Sequence, residues 1–341
     1  LKTEICNHKK KNMSSHENMA ILTRGDGIAY GQDYRILEVH KYLNIKLLSA
    51  RETHFEEINN YQTIIIFDTD DLAIQKIVNG LKCKNIISHF QLNLSYLNEA
   101  KRNRSIEVLK KSKVIIVPSM HLKDDLEANI SNNIIVIKNG VDLNNFTFSN
   151  SQNHPIKFGY VGRFSKSKGL QILQFLWNNL KKKYTLQFDS VNNLFKIATE
   201  CRILSNFSLV RELHPTPSFD CLIFPSLNEV APMVVIESLM SGVPVISTNS
   251  SPFLKELQAE IGIEYLKLIE LPNYLRDMPR EQLSLNEIDT LNIAKQFMQY
   301  MKNFKPLTLP EKKVLSEKMI QFKYTSQDMA NSFSDVYLRY L

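Results

Sequence analysis

The chain has 341 residues, longer than a single core usually accommodates, so two domains of ordinary size are expected. Its hydrophobic share of 43% and charged share of 23% are those of a folded globular protein and exclude disorder or coiled coil along most of the length. The net charge of +7 suits an anionic partner, whether a nucleotide diphosphate, an acidic membrane surface or nucleic acid, without choosing among them.

Residues 1–18 (LKTEICNHKKKNMSSHEN) are polar and lack the apolar core of a signal peptide, so they are expected to be disordered or tag-like, with Met13 or Met19 as a natural start. From Met19 onward, short β-branched runs alternate with longer amphipathic stretches, which is the pattern of a parallel sheet covered by helices. Strands are predicted at Met19–Thr23, Ile45–Leu48, Thr63–Phe67, Asn85–Ser88, Val114–Pro118 and Ile134–Ile137, with helices at Ser95–Lys111 and His121–Asn129. Residues 19–138 therefore read as a Rossmann-like domain. The stretch 139–154, rich in Asn, Gly and Ser, breaks the pattern and reads as a linker.

Strands resume at Ile156–Val161, Thr185–Phe188, Cys221–Phe224, Pro244–Ser247 and Ile263–Tyr265, so residues 155–322 form a second Rossmann-like domain. The remainder, 323–341, reads as a helix with Met329, Phe333, Val336 and Tyr337 at helical spacing. Cys6, Cys83, Cys201 and Cys221 are scattered, with no C-x-x-C pair and no histidines at ligand spacing, so no metal is expected and the thiols read as reduced. No apolar run reaches the ~18 residues that span a bilayer. A cytoplasmic body is the expectation.

Two segments carry chemistry. In IKFGYVGRFSKSKGLQIL (Ile156–Leu173), a strand leads through Gly162 and Arg163 to a helix that opens near Lys168 and Gly169. Glycine lets a backbone approach a ligand, a helix N-terminus offers unpaired N–H groups, and two cations can neutralise a diphosphate. The same residues read equally as a strand, turn and helix with two solvated cations. In FDCLIFPSLNEVAPMVVIESLMSGVPVIST (Phe219–Thr248), a buried strand ends at Pro225-Ser226, Glu229 follows on a loop, a helix starts near Pro232 and carries Glu237, and Gly242 stops it. Carboxylates can each accept hydrogen bonds from two hydroxyls, as sugars and riboses require. Alone, they read as two surface glutamates.

In order, these segments resemble the family 4 (group 1) glycosyltransferases of GT-B fold, whose second domain has a Gly-Arg turn, a following Lys and an E-x7-E pair. Lys138-Asn139-Gly140-Val141-Asp142 with Phe146, the strand Val114–Ser119 and the last helix also resemble that family, so the likeness runs from about Val114 to the end of the chain. It implies an α/β GT-B protein with two Rossmann-like parallel-sheet domains, a cleft between them and a final helix returning to the first. It implies a metal-independent, retaining transfer of sugar from a nucleotide-diphosphate sugar, a co-substrate rather than a cofactor, by front-face attack without a protein nucleophile. Arg163 and Lys168 would clamp the diphosphate beside Gly162 and stabilise the leaving group. Glu237 would hold the ribose, and Glu229 the donor sugar, helped by backbone N–H groups around Ala231, Met233 and Val234. The family also departs here: Val230 stands where it commonly has glycine, and Leu209–Asp220 is shorter than its base-binding region.

In the first domain, His89 follows the strand Asn85–Ser88, where the family often has a histidine facing the reacting sugar, and a structural loop histidine is an equal alternative. Gly25-Asp26-Gly27 stands where the family's glycine-rich loop approaches donor and acceptor, or is an ordinary tight turn. The acceptor would be a saccharide or a lipid-linked saccharide. The basic stretch Lys101–Lys113 is a solvated helix face or, in the sharper reading, docks on anionic lipid through Lys101, Arg102 and Arg104, placing the enzyme peripherally on the membrane. Nucleic acid as acceptor, a nucleotide-sugar epimerase, and a non-catalytic nucleotide-sugar binder are the competing readings.

Overall fold

In the computed structural model, the described residues are 18–24, 36, 39–82, 85–145, 148, 156–162, 165–180, 185–190, 203–205, 219–275, 278 and 282–340. The chain forms two compact units, one within Leu1–Asn139 and Ser326–Leu341, the other within Gly140–Thr325.

The first unit contains, in chain order, β1 (Met19–Thr23), β2 (Lys46–Ser49), α1 (Phe55–Ile58), β3 (Thr63–Ile66), α2 (Leu72–Gly80), β4 (Asn85–His89), α3 (Glu99–Lys111), β5 (Val114–Val117), α4 (Met120–Glu127) and β6 (Asn133–Val136). All pairings are parallel, in the order β2-β1-β3-β4-β5-β6. Side chains alternate between faces: Met19, Ile21 and Ile65 join one apolar cluster, and Ala20, Leu22, Ile64 and Ile66 the other. That two-sided burial explains why β5 is apolar throughout and β3 is apolar after Thr63. The helix predicted from Ser95 begins later. Asn98 caps it by accepting from Lys101 N, and a separate 3-10 turn, Leu94–Tyr96, precedes it.

The second unit contains β7 (Lys157–Val161), α5 (Leu170–Leu180), β8 (Thr185–Ser190), β9 (Ile203–Ser205), β10 (Cys221–Phe224), α6 (Met233–Met240), β11 (Val245–Thr248), α7 (Pro252–Ile261), β12 (Leu266–Ile269), α8 (Glu287–Asn303) and α9 (Leu309–Gln321). Its parallel sheet has the order β12-β11-β10-β7-β8-β9. Counted within the unit, this is the 3-2-1-4-5-6 arrangement of dinucleotide-binding folds. Phe158, Tyr160, Ile223 and Ile246 pack toward α5 and α8, and Leu222, Phe224 and Val245 toward α6, α7 and α9. The strand predicted at Ile263–Tyr265 lies instead at Leu266–Ile269. α7 runs to Ile261, and a turn in which Tyr265 N donates to Gly262 O (3.2 Å) occupies the intervening residues and leaves Ile263 exposed.

α10 (Ser326–Leu338) follows the second unit in sequence but belongs to the first, as the resemblance implied for the last helix. Met329, Phe333, Val336 and Tyr337 pack with Met19, Ile21, Ile65 and Ile87. Beyond it, Tyr340 O accepts from Thr63 Oγ1 (2.9 Å) and from Asn85 Nδ2, which fixes the chain end to the N-terminal edges of β3 and β4.

Candidate functional site

In an open parallel sheet, ligands bind at the carboxyl ends of the strands where the chain order reverses. In the second unit that point lies between β7 and β10, so the two loops that frame it run from Gly162 to Gly169 and from Pro225 to Pro232. These are the two segments singled out from sequence. Gly162 has φ +154°, and a Cβ there would meet the Tyr160 hydroxyl at 2.9 Å, so the turn that leaves β7 is built on glycine. Arg163 lies outside the described residues. Lys166–Lys168 then makes one 3-10 turn that ends on Gly169 in the left-handed region, φ +75°.

Gly169 is where the loops meet. A Cβ at this position would stand 2.0 Å from Pro225 O, so only glycine lets the two backbones touch. A further bond ties the loops together: Leu227 N donates to Ser167 O (2.8 Å). The resulting seam brings Lys168 and Glu229, 61 residues apart in sequence, into a direct hydrogen-bonded ion pair between Nζ and Oε1, with side chains 17% and 12% exposed. The ammonium also sits 5.9 Å from the centre of the Phe224 ring.

Ser226 was not expected at the site. It is 1% exposed, its hydroxyl is 2.6 Å from Glu229 Oε1, and its carbonyl accepts from Thr248 Oγ1 at the end of β11. Its position two residues past β10, at the reversal point, was the available signal. Glu229 is held from its backbone too, N donating to Ser250 O (3.0 Å), and Ser251 Oγ fixes Val230 O (2.5 Å). The far side of the loop leads into α6, whose N-cap is Pro232 and has no side-chain cap. The first backbone N–H groups of a helix, here those of Met233 and Val234, have no intrahelical acceptor and favour an anion. Ala231, Met233 and Val234 are partly buried against the core, and Glu237, also partly buried, lies on the second turn of α6. One unit thus sets a cation and a carboxylate in contact at one edge of its sheet, on a loop that enters a helix N-terminus.

In the first unit, Gly25, Asp26 and Gly27 lie outside the described residues, as do Phe146, Cys6, Cys83, Cys201 and residues 209–218. Arg24 N donates to Asp68 Oδ2 (3.1 Å), joining the ends of β1 and β3. β4 runs one residue past the predicted Ser88, so His89 is its last residue; it is 0% exposed, stacks on Phe67 with centroids 4.1 Å apart, packs on Phe333, and has Nε2 2.6 Å from the Tyr337 hydroxyl. The ring anchors α10 to the sheet, because a helix returning here with Phe333 and Tyr337 covers the strand end that would otherwise be open.

The basic stretch on α3 is largely engaged within the fold. Arg102 donates through Nε to Leu94 O (2.9 Å) and through Nη2 toward Ser95 O and Leu97 O. Arg104 donates to Asp70 O (2.9 Å), and Lys101 stands 4.0 Å from Asp70. These bonds hold the 3-10 turn and the β3–α2 loop. Among the described residues, no helix is long and apolar enough to cross a membrane. No group of three or more His, Cys, Asp or Glu there is placed to hold a metal ion. Cys221 is a free, buried thiol whose burial pushes its pKa well up, so it is inert as a nucleophile.

Two parallel α/β sheets, the second with nucleotide-binding strand order and a cation and carboxylate at its reversal point, define the GT-B class of fold. Residues 143–262, within the second unit, match the family model described as Glycosyl transferases group 1. No curated protein matches the chain in sequence. Among solved structures it is similar to HepE from Anabaena in complex with UDP and glucose, with TM-score 0.70 and 11% identity over 94% of this chain and 99% of that one. It is also similar to sucrose-phosphate synthase from Thermosynechococcus elongatus, with TM-score 0.67, 13% identity, and 94% and 98% of the two chains covered. A glycosyltransferase from Rickettsia africae ESF-5 gives TM-score 0.66 and 13% identity over the same shares.

Proposed function

We propose that the protein is a retaining glycosyltransferase of the family 4 type that moves a sugar from a nucleotide-diphosphate sugar to a saccharide or lipid-linked acceptor, without a metal. The observation that carries this reading is the seam at the β7/β10 reversal point, which sets Lys168 beside Glu229 on the loop that leads into α6. Lys168 and Arg163 take the diphosphate and stabilise the charge that collects on it as the glycosidic bond breaks. The N–H groups of Met233 and Val234 add an uncharged anion site. Glu229 accepts from hydroxyls of the donor sugar and Glu237 from the ribose. HepE, whose solved structure contains UDP and glucose, supports a nucleotide-sugar donor. The enclosure of the His89 ring against Phe67, Phe333 and Tyr337 supports a structural role for it.

The reading is tested with a thermal-shift series of UDP, GDP and ADP and their glucose or mannose esters, followed by product detection with candidate acceptors. A ligand at 100 times its Kd raises stability by about 2.7 kcal/mol, a shift easily read. Lys168→Ala and Arg163→Ala each abolish most of the shift. If no nucleotide or nucleotide sugar moves the melting temperature, the proposed activity is wrong.

A further inference from the structure

The Lys168–Glu229 ion pair sets the site a problem, because in the reading above both groups are needed by the ligand. Lys168 must turn toward the diphosphate, and Glu229 must accept from the sugar. In the structure each is the other's partner, and Glu229 Oε1 receives two donors, the Lys168 ammonium and the Ser226 hydroxyl. These donors differ in mobility. Lys168 is attached by a flexible stem, whereas Ser226 is 1% exposed, has its carbonyl held by Thr248, and lies in a loop pinned to Ser167 and Gly169.

We propose that Lys168, Glu229 and Ser226 form an exchange device that makes the site favour the sugar-bearing nucleotide diphosphate over the spent one, with Ser226 as the positioning residue that allows the exchange. The inference rests on the donor-site reading. When a donor enters, Lys168 swings to the phosphates and Ser226 stays on Oε1, so the carboxylate is never left without a donor. A sugar hydroxyl supplies the second bond. In the transfer, the bond between the anomeric carbon and the phosphate oxygen breaks and its electron pair remains on that oxygen. The acceptor oxygen bonds the carbon, and its proton leaves by way of the phosphate to solvent. The terminal phosphate now carries more negative charge, the sugar hydroxyl is gone, and carboxylate and phosphate compete for one ammonium. Like charges a few ångströms apart in a partly buried site repel strongly enough to speed release.

The device predicts opposite signs for two ligands. Calorimetric titration of the full chain uses UDP against UDP-glucose, GDP against GDP-mannose and ADP against ADP-glucose, and continues with the pair that the wild-type protein binds. Glu229→Gln removes the competing charge, so it tightens the bare diphosphate on the order of ten-fold and weakens the sugar ester. Ser226→Ala leaves Glu229 dependent on Lys168, so it weakens the bare diphosphate by about three-fold or more, and this loss vanishes in the Glu229→Gln background. Ser226→Cys, which keeps a weaker donor at similar volume, falls between the two, and near-ultraviolet circular dichroism checks that each variant is folded. Equal weakening of both ligands by Glu229→Gln, or a Ser226→Ala effect that persists without the carboxylate, overturns the exchange. If none of the six nucleotides binds the wild-type protein, the donor site itself fails and the exchange with it.

Discussion

At the scale of single residues, the site depends most on one that has no side chain. Gly169 has φ +75° and would place a Cβ 2.0 Å from Pro225 O, so Gly169→Ala is expected to cost about 2 kcal/mol or more in urea denaturation and to abolish nucleotide-induced stabilisation in the same protein. Loss of stability with full retention of ligand shift would show that the seam does not form the site. Sequence made the places of Gly162, Lys168, Gly169, Glu229 and Glu237 in the fold readable because their residue types and order are tied to a strand-turn-helix frame. It could not show that Lys168 and Glu229 touch, since that contact depends on how two loops 61 residues apart are pinned. The enclosure of His89 was unreadable for a related reason. A histidine at the end of a strand is exposed or enclosed according to what lies over it, and the covering Phe333 and Tyr337 come almost 250 residues later. Tyr337→Phe removes the partner of a fully buried ring nitrogen, and a loss of about 1–3 kcal/mol is expected in the first unit's unfolding.

At the scale of elements, the strands were readable where both faces are buried, as in Thr63–Ile66 and Val114–Val117, and less so where a turn competes, as at Gly262–Tyr265. α8 went unread although Ile293, Phe297 and Met301 recur every four residues, because its outer face is mixed and Ile288 is exposed. Caps account for the boundaries. Asp71 accepts from Ala73 N at 2.8 Å and Ile74 N at 3.3 Å, so Asp71→Ala should cost about 1 kcal/mol, and a change within a few tenths would mean that packing alone sets the start of α2. The turn after α9 carries a pH dependence. Tyr324, buried and donating to Glu260 Oε2 at 2.7 Å, has its pKa raised first by burial and then by that carboxylate. The folded state therefore holds the phenol proton more tightly than the unfolded chain. The stability this gives is complete below the ordinary tyrosine value of 10.0 and is lost as pH rises toward the folded value. Tyr324→Phe should accordingly flatten the alkaline limb of the stability profile above pH ~10.

At the scale of the whole molecule, the alternation of short strands and helices was enough to show two parallel sheets, but the strand orders depend on crossovers that no local pattern encodes. The order β12-β11-β10-β7-β8-β9 matters most, because it alone puts the Gly162 and Pro225 loops side by side. The first unit is discontinuous in sequence, interrupted by the whole of the second. Removing residues 326–341 strips Met329, Phe333, Val336 and Tyr337 from its core and unpairs His89 Nε2. The truncated protein should lose the first unit's cooperative melting transition while the second unit, judged by nucleotide-induced stabilisation, persists.

The same interruption imposes a timetable on biosynthesis. At translation rates of about 5–20 residues per second, the strands of the first sheet leave the ribosome well before the helix that closes them, and the 186 residues of Gly140–Thr325 are made in between. The nascent chain therefore carries Met19, Ile21, Ile65 and Ile87 uncovered for roughly ten to forty seconds, an interval in which chaperones can bind, and a ribosome that stalls inside the second unit yields a product marked for removal by its own unfinished surface.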